Sequence, residues 1–263
     1  MSNDYYYDNY RLADFYDDMY TYDVDYVLWK KYIKPGMRIL EIACGTGRLT
    51  KLILEQEKQV HIDALDYSKE MLDIFTDKLK EFKVNEGNTV NIINADMRTF
   101  TSSVKYDIII IPSNSLNHIE TNEDMESTLE NMYSLLKEGG FLLFDLLNPV
   151  FEYLIRDPQK SYDGEVYVQR KTGKYFYSEE TSHYDIETQI NNVTYTYFYS
   201  NKKGEKEPDS RIYKMDIKVR LYFPQEINYF IKKSPFESYE KFGWYDGREF
   251  NGKTPEQIFV LKK

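Results

Sequence analysis

The sequence predicts an α/β protein that is built on a parallel β-sheet and carries a second, antiparallel sheet as an insertion. Three observations support this fold class. Buried apolar strands alternate with helical segments over the first 149 residues. The first strand, within 39–47, ends in a turn of small residues. From residue 150 to about 223, alternating segments rich in Val, Ile, Thr and Tyr replace that pattern.

The first strand and its turn read Ile-Leu-Glu-Ile-Ala-Cys-Gly-Thr-Gly. Gly45 and Gly47 permit positive φ angles and a close approach of the backbone to a ligand. The helix that starts near Arg48 directs its unpaired N–H groups at the same place. A nucleotide-like ligand is therefore expected there. The dinucleotide fingerprint G-x-G-x-x-G fails, because the third glycine would fall on Thr50 or Arg48.

The next two strands each end in an acidic residue. The apolar run 60–65 is followed by Asp66, and the run 90–95 by Asp96 and Met97. A carboxylate at the carboxyl end of a strand can accept hydrogen bonds from both hydroxyls of a ribose. A purely structural interpretation stays open: Asp66 precedes Ser68, a candidate helix N-cap, and Met71 belongs to an apolar helical stripe.

Glu41, Ala43, Gly45 and Gly47 occupy alternate positions, and this pattern resembles motif I of the class I S-adenosylmethionine-dependent methyltransferases, with Ala43 in place of the first glycine. The resemblance implies a Rossmann-like fold with a mostly parallel seven-stranded sheet whose last strand is antiparallel. It also implies S-adenosyl-L-methionine as cofactor. Asp96 is then expected to bind the adenine amine, and the Met97 backbone and the Met71 side chain are expected to flank the adenine ring. The residues expected at the cofactor are Tyr16, Tyr26, Glu41, Ala43, Cys44, Gly45, Gly47, Asp66, Tyr67, Met71, Asp96, Met97 and Ser113.

The remaining elements of the core follow in order. Residues 106–111 form a buried strand that Pro112 ends, and the loop 113–119 follows it. Ligands bind beyond the carboxyl ends of parallel strands, so this loop is the expected place of catalysis. Thr121 is the predicted N-cap of a helix that runs to Lys137. Glycines at 139 and 140 end it, and 141–147 is the fifth strand.

We predict four regions from these patterns. Residues 1–35 form a tyrosine-rich helical cap, 36–149 the cofactor-binding core, 150–223 the antiparallel insertion and 224–263 the last helix and closing strands. The insertion is expected to roof the substrate site, to form a dimer interface, or both. Its predicted strands are 165–169, 175–178, 189–199 and 211–223, and the closing elements are a helix at 224–233 and strands at 236–245 and 257–261.

Composition restricts the function further. The chain has 263 residues and a formal net charge of −10, a sign that disfavours binding to nucleic acid. It has no run of about 20 apolar residues and no basic, apolar leader at its start, so a cytoplasmic enzyme without a membrane span is expected. The single cysteine, Cys44, cannot form an internal disulfide. No cluster of metal ligands is visible, so no metal is expected.

The layout as a whole resembles the small-molecule N-methyltransferases of the deoxyaminosugar and glycine types. That resemblance implies an amine acceptor, with His118 in the loop near the amine and Tyr10 orienting it. Methyl transfer would then be an in-line displacement by the neutral amine. An O- or C-methyltransferase of a small metabolite and a non-catalytic S-adenosylmethionine-binding sensor or partner subunit are the alternatives. The protein is expected to act as a monomer or as a homodimer through the inserted sheet.

Overall fold

The computed structural model describes residues 10–263, and the side chains of 15–207 and 210–263. The chain divides into two compact units. One comprises residues 22–149 and 221–263, and the other comprises 150–220 with the described part of 1–21. No described helix is both long and apolar enough to cross a membrane.

The helices and strands alternate as far as residue 147, after which strands dominate. The helices are α1 (Tyr10–Met19), α2 (Val24–Trp29), α3 (Arg48–Gln56), α4 (Lys69–Leu79), α5 (Asn122–Leu135), α6 (Phe151–Leu154) and α7 (Pro224–Lys233). A 3₁₀ helix spans Ser115–His118. The strands are β1 (Arg38–Ile42), β2 (His61–Asp66), β3 (Thr89–Asn94), β4 (Tyr106–Ile111), β5 (Leu136–Leu147), β6 (Tyr162–Val168), β7 (Tyr175–Asp185), β8 (Ile190–Ser200), β9 (Lys206–Arg220), β10 (Ser238–Phe242) and β11 (Glu256–Lys262).

The larger unit is built on a seven-stranded sheet in the order β10-β11-β5-β4-β1-β2-β3. Strands β1 to β5 pair in parallel, whereas β11 is antiparallel to both of its neighbours. The predicted fold class is confirmed. The sequence of β4 predicts a central position in the sheet, because a parallel strand that is covered on both faces is apolar throughout. Its four consecutive isoleucines at 108–111 are indeed fully buried.

Helices cover both faces of this sheet, and each face has its own apolar core. Met125 of α5 and Ile227 of α7 belong to one core. Trp29 of α2, Leu49 of α3 and Phe75 of α4 belong to the other. The sheet thus lies between two helix layers. Only the residues at the carboxyl ends of its strands reach the edge where ligands bind in such folds.

The junction of α5 and β5 differs from the prediction. The N-cap Thr121 is confirmed, because its hydroxyl accepts a hydrogen bond from the Asp124 N–H at 3.1 Å. However, α5 ends at Leu135 rather than at Lys137, and β5 already begins at Leu136. Pairing of Leu136 with Tyr106 explains the early start, and an irregularity in the register follows it. Long-range pairing thus outweighs the local glycine signal.

The smaller unit contains a four-stranded antiparallel sheet in the order β6-β7-β8-β9. Strand β7 is longer than predicted and runs to Asp185, because it pairs with β8 along its whole length. Helix α1 packs on this sheet, and the rings of Phe15 and Phe176 are 5.1 Å apart. The predicted insertion is therefore an antiparallel sheet with a helix of its own.

The turn after β1 places strict demands on its backbone. Ala43, Gly45 and Gly47 all have positive φ angles, of 55°, 56° and 83°. Gly47 is also the N-cap of α3. A Cβ at Gly47 would lie 2.4 Å from the buried ring of Phe75. Glycine is therefore required here for two separate reasons, conformation and space.

We predict that Gly47→Ala lowers the free energy of unfolding by about 2–4 kcal/mol, because it combines left-handed strain with overpacking against Phe75. Two glycines separate these contributions. Gly139→Ala meets a positive φ of 73° but no neighbour within 4 Å, and Gly252→Ala meets neither problem. In urea denaturation, the loss of unfolding free energy should be largest for the Gly47 variant, about 1 kcal/mol for the Gly139 variant and near zero for the Gly252 variant. Equal losses at Gly47 and Gly139 would show that Phe75 yields without cost.

Candidate functional site

The candidate site lies in the larger unit, at the carboxyl ends of β1, β2, β4 and β5. The small-residue turn follows β1 and runs into α3. The N–H of Cys44 donates to the carbonyl of Leu65 at 3.0 Å, which joins this turn to the end of β2. Strand register thus brings the turn and Asp66 together, as the sequence predicts.

Asp66 is a buried carboxylate that holds the turn. Its Oδ2 accepts a hydrogen bond from the Gly45 N–H at 2.7 Å, and its Oδ1 accepts one from the Ser68 N–H at 2.8 Å. Burial raises the pKa of Asp66 to about 6, although these backbone N–H groups act in the opposite direction. Each carboxylate oxygen has two acceptor positions. The Tyr67 N–H is a third donor to this carboxylate, so one of its four acceptor positions remains for a ribose hydroxyl.

Glu41 contacts the helix that follows the same turn. It is almost fully buried near the end of β1, and its carboxylate accepts a hydrogen bond from the Thr50 hydroxyl in the first turn of α3. Burial raises the pKa of Glu41 to about 8, while Thr50 and Arg48 lower it. Glu41 therefore holds α3 against the sheet. Cys44 is buried beside it, and burial raises the pKa of the thiol well above its usual value.

The residues predicted around an adenine ring lie near the ends of β2 and β3. Met71 is buried in α4, and Met97 packs partly against the core. Tyr67 is 46% exposed. Asp96 is engaged by Arg98, whose Nε lies 3.0 Å from Oδ1. Burial raises the pKa of Asp96, but the Arg98 hydrogen bonds and charge outweigh it and leave the pKa below its usual value.

The loop after β4 is held in a strained conformation by Asp145, a fully buried residue of β5. Ser113 and Asn114 have φ angles of 60° and 59°. The N–H groups of both residues donate to the Asp145 carboxylate, with the Ser113 bond at 3.3 Å. The Tyr245 hydroxyl donates to the same carboxylate at 2.7 Å. Burial raises the pKa of Asp145 to about 6, against the effect of these bonds.

Arg48, the first residue of α3, joins the loop to the segment that precedes the core. Its guanidinium makes a two-pronged ion pair with the fully buried Asp25, at 2.8 and 2.5 Å. It also donates to the Ser113 hydroxyl at 3.2 Å. The Tyr22 ring lies 4.3 Å from the guanidinium carbon, and the Tyr22 hydroxyl donates to Ser113 at 3.1 Å. Ser113 is therefore fixed by two donors.

The remaining predicted site residues stay predictions. Tyr26 is buried in α2, where its N–H donates to the Asp25 carboxylate at 3.0 Å and its hydroxyl donates to Glu57, the residue after α3, at 2.5 Å. Tyr16 belongs to the smaller unit and stacks on Tyr20 at 4.4 Å. Tyr10 begins α1, and its side chain lies outside the described part of the chain.

His118 ends the 3₁₀ helix in the loop after β4, and its side chain is partly exposed. The neighbouring Asn117 anchors this segment, because its Oδ1 accepts a hydrogen bond from the Leu147 N–H at 3.1 Å. His118 therefore lies in the loop that the sequence singles out. Over residues 10–263, apart from the few undescribed side chains, no group of three or more His, Cys, Asp and Glu is arranged to hold a metal ion.

The sequence did not predict four residues that lie at this edge: Asp25, Asp145, Tyr245 and Glu256. One signal was available, because Asp145 is a charged residue within the apolar run 141–147 and charged residues are seldom fully buried without a partner. The others have no local signature, since their partners lie far away in sequence.

We predict that Arg48→Met lowers the free energy of unfolding by about 3–5 kcal/mol, because it leaves the buried Asp25 carboxylate without its partner. Arg248→Met is the matched control. Arg248 makes the same 2.5 Å contact with Asp246, but both side chains are about half exposed. Its loss should be at most about 1 kcal/mol. In the double variant Arg48→Met/Asp25→Asn, urea denaturation should show recovery of part of the loss; no recovery would mean that Arg48 acts by packing alone.

Comparison with known proteins relates this edge of the sheet to methyltransferases. Residues 40–142 match the family model described as a methyltransferase domain. The chain is 32% identical over 139 residues to the protein named "Putative methyltransferase YqeM" of Bacillus subtilis, a match that covers 51% of this chain and 53% of that protein. It is 30% identical over 128 residues to malonyl-acyl-carrier-protein O-methyltransferase 2 of Ilyobacter polytropus, covering 49% of this chain and 46% of that one. The chain thus matches about half the length of these curated relatives.

The fold is shared over nearly the whole chain with a solved S-adenosylmethionine-dependent methyltransferase from Clostridium acetobutylicum. The TM-score is 0.71, and the match covers 96% of this chain and 97% of that one at 18% identity. At this identity the likeness concerns the fold alone. It agrees with the seven-stranded sheet described above, and the matched family covers the turn after β1, Asp66 and the strained loop after β4. Residues 40–142 thus match a methyltransferase domain, and the chain has the fold of a solved S-adenosylmethionine-dependent methyltransferase.

Proposed function

We propose that the protein binds S-adenosylmethionine at the turn after β1 and transfers its methyl group to a small-molecule amine. The observation that carries this proposal is the arrangement of Asp66. Its carboxylate is buried at the end of β2, is held by the Gly45, Ser68 and Tyr67 N–H groups, and keeps an acceptor position for a ribose hydroxyl. This arrangement lies in a domain of the methyltransferase family.

The chain offers a group for each part of such a cofactor. The turn at 43–47 allows close approach of the backbone, and the first N–H groups of α3 suit a carboxylate. Met71 and Met97 supply apolar surface for an adenine ring. Asp96 can contribute an acceptor to the adenine amine, although it also holds Arg98. When bound, S-adenosylmethionine supplies an activated methyl group. The enzyme then has to orient the acceptor and exclude competing water.

An amine acceptor is favoured by the charge of the site. Asp25 and Asp145 are both fully buried at this edge. The basic group that they meet among the described contacts is Arg48, which already pairs with Asp25. The protein as a whole has a net charge of −10. A positively charged acceptor is attracted to such a site, whereas a nucleic-acid phosphate backbone is repelled.

We assign to His118 the handling of the acceptor proton, with Tyr10 as an orienting group. Methyl transfer to nitrogen requires an unprotonated amine, so a group that accepts or relays a proton raises the fraction of reactive acceptor. His118 is suited to this role because it ends the 3₁₀ helix in the loop after β4 and is partly exposed.

O-methylation of a small metabolite is the second candidate function. The observation that favours it is the similarity to a malonyl-acyl-carrier-protein O-methyltransferase at 30% identity. That similarity covers about half of either protein. It therefore bears on the shared donor domain more than on the acceptor site, which other segments of this class of enzyme can supply.

We predict that the affinity for S-adenosylmethionine depends on pH through Asp66. Its pKa of about 6 in the free protein means that it is ionised above pH 7 and increasingly protonated below pH 6. Because a ribose hydroxyl binds best to the ionised carboxylate, affinity should fall by up to about tenfold per pH unit below pH 6. Asp66→Asn should lose about 1–3 kcal/mol of binding at pH 8 and show a flatter pH profile.

Calorimetric titration from pH 5 to pH 8.5 tests this prediction, and Asp63→Asn is the control, because Asp63 lies three residues earlier in the same strand and bonds to the Tyr106 hydroxyl instead. Unchanged affinity in Asp66→Asn would refute the ribose assignment. If neither protein bound S-adenosylmethionine at any pH, the proposed cofactor site itself would be wrong.

An acceptor screen with tritiated S-adenosylmethionine and panels of amines, alcohols and acids tests the reaction class. With an amine found in this way, His118→Ala should lower kcat by about 10²–10⁴-fold while cofactor affinity stays nearly constant. His183→Ala is the control, because His183 is an exposed residue of the inserted sheet. A fully active His118→Ala variant would remove His118 from the mechanism, and turnover with alcohols or acids only would favour the second candidate function.

A further inference from the structure

Two buried oxygen atoms beside the loop after β4 lack hydrogen-bond partners among the described residues. They are Oδ1 of Asn114 and Oε2 of Glu256. The two side chains contact each other, because the Asn114 side chain makes a hydrogen bond to the Glu256 carboxyl group. Glu256 is only 9% exposed, whereas Asn114 is partly exposed. Both acceptor atoms are therefore buried, although Asn114 as a residue is partly exposed.

The topology places Glu256 at the carboxyl edge of the sheet. Glu256 is the first residue of β11, and because β11 is antiparallel to β5, it lies opposite Leu147 near the end of β5. Ile258 lies opposite Asp145, so Glu256 and Asp145 project from the same face of the sheet. Glu256 thus adjoins the residue that holds the strained loop. None of these contacts involves Asp66 or the turn after β1.

The groups around Glu256 are acidic or neutral. Asp145 faces it from β5, Tyr245 from the segment before β11, and Asn114 from the loop. Burial raises the pKa of Glu256 to about 8, the charge of Asp145 adds to this, and the Asn114 hydrogen bond lowers it. Burial also raises the pKa of the Tyr245 hydroxyl, which stays neutral and donates to Asp145.

When Glu256 is ionised, the two side chains offer two acceptor atoms that lack a donor, and these atoms define the chemistry of their ligand. Buried polar atoms are rarely left unpaired in folded proteins, and those that are unpaired often mark a place where a ligand or ion binds. The ligand must donate at least two hydrogen bonds from one atom or from neighbouring atoms. A protonated primary amine satisfies this requirement and also offsets the negative charge of the cluster, whereas a carboxylate or phosphate does neither.

We propose that Glu256 and Asn114 bind the amino group of the methyl acceptor, and that the Glu256 carboxylate takes the proton from it, which His118 then relays onward. This inference rests on the proposed function for its place in the reaction. In the proposed step the ammonium N–H bond breaks and a carboxyl O–H bond forms, which leaves a neutral amine with a free lone pair and a neutral Glu256. The amine is then competent to attack the methyl carbon. Asn114 keeps it in place as a hydrogen-bond acceptor.

The environment of Glu256 makes this proton transfer feasible. An exposed glutamate has a pKa of about 4.3 and an alkylammonium group about 10.4, so the transfer is unfavourable by about six pKa units in water. In the cation-free site the pKa of Glu256 is about 8, so the difference shrinks to about two units before the attraction between the two charges is counted. Burial of the carboxyl group thus brings its proton affinity close to that of its proposed ligand.

Calorimetric titration of the full-length protein with benzylammonium chloride, without cofactor, tests the site directly. At pH 7 a group with a pKa of about 8 is about nine-tenths protonated, so binding of the cation should release about 0.9 proton in the wild type. Titrations in phosphate and in MOPS buffer count that proton through their different ionisation enthalpies. Glu256→Gln should weaken binding at least tenfold and abolish proton release. Benzyltrimethylammonium, which has no N–H donor, should bind at least tenfold more weakly than benzylammonium.

Three controls keep the test decisive. Glu249→Gln alters an exposed glutamate nearby and should behave as the wild type. Asn114→Gly retains the positive φ of 59° and removes the second acceptor, so it should also weaken benzylammonium binding. Near-ultraviolet circular dichroism checks that each variant is folded. Failure of the wild type to bind benzylammonium, equal binding by Glu256→Gln, or equal binding of benzyltrimethylammonium would overturn the proposal.

These titrations also separate this inference from the proposed function. They need neither cofactor nor turnover, so benzylammonium binding can fail while S-adenosylmethionine still binds and methylates another acceptor. Conversely, loss of S-adenosylmethionine binding would refute the donor site and leave the ammonium site intact. With an amine substrate from the acceptor screen, Glu256→Gln should lower kcat/KM at least tenfold and remove one ionisation from its pH profile; an unchanged profile would overturn the proton-transfer step.

Discussion

The burial of several carboxyl groups at one edge of the sheet is the constraint on which the site depends. Asp25, Glu41, Asp66 and Asp145 are almost completely buried there. Each removes a charge from water, which is unfavourable unless hydrogen bonds or a partner replace the lost solvation. Backbone N–H groups serve Asp66 and Asp145, and Arg48 serves Asp25. The positions of the turn and the loop thus follow from the demands of these buried acids.

The donor half of the site could be predicted from the sequence because its determinants are local. The turn at 43–47 lies within five residues, and the acid that holds it ends the very next strand. Parallel pairing of β1 with β2 is then enough to bring the turn and this acid together, and no other contact has to be predicted. Strand β4 was equally predictable, because its consecutive isoleucines at 108–111 leave a buried central strand as the natural arrangement.

The other half could not be predicted, because its determinants are distant in sequence. The Tyr245 hydroxyl and Asp145 are separated by 100 residues, and Asn114 and Glu256 come from opposite sides of the inserted sheet in chain order. No periodicity or short motif in the sequence indicates contacts between residues so far apart. The hydroxyl of Tyr26 is a further example, because it meets Glu57, which lies 31 residues away in the sequence.

This division has a physical consequence. The proposed donor site is made by one turn and the end of one strand, so it depends on the pairing of β1 with β2. The proposed acceptor site is made by the loop after β4 and the start of β11, so it also depends on how the chain returns to the sheet after the insertion. The strained backbone of Ser113 and Asn114 is tolerated only because Asp145 holds both N–H groups. Acceptor specificity should therefore be sought in residues such as Asn114, Asp145 and Glu256, whose geometry exists only in the folded protein, and not in the motif by which the domain is recognised.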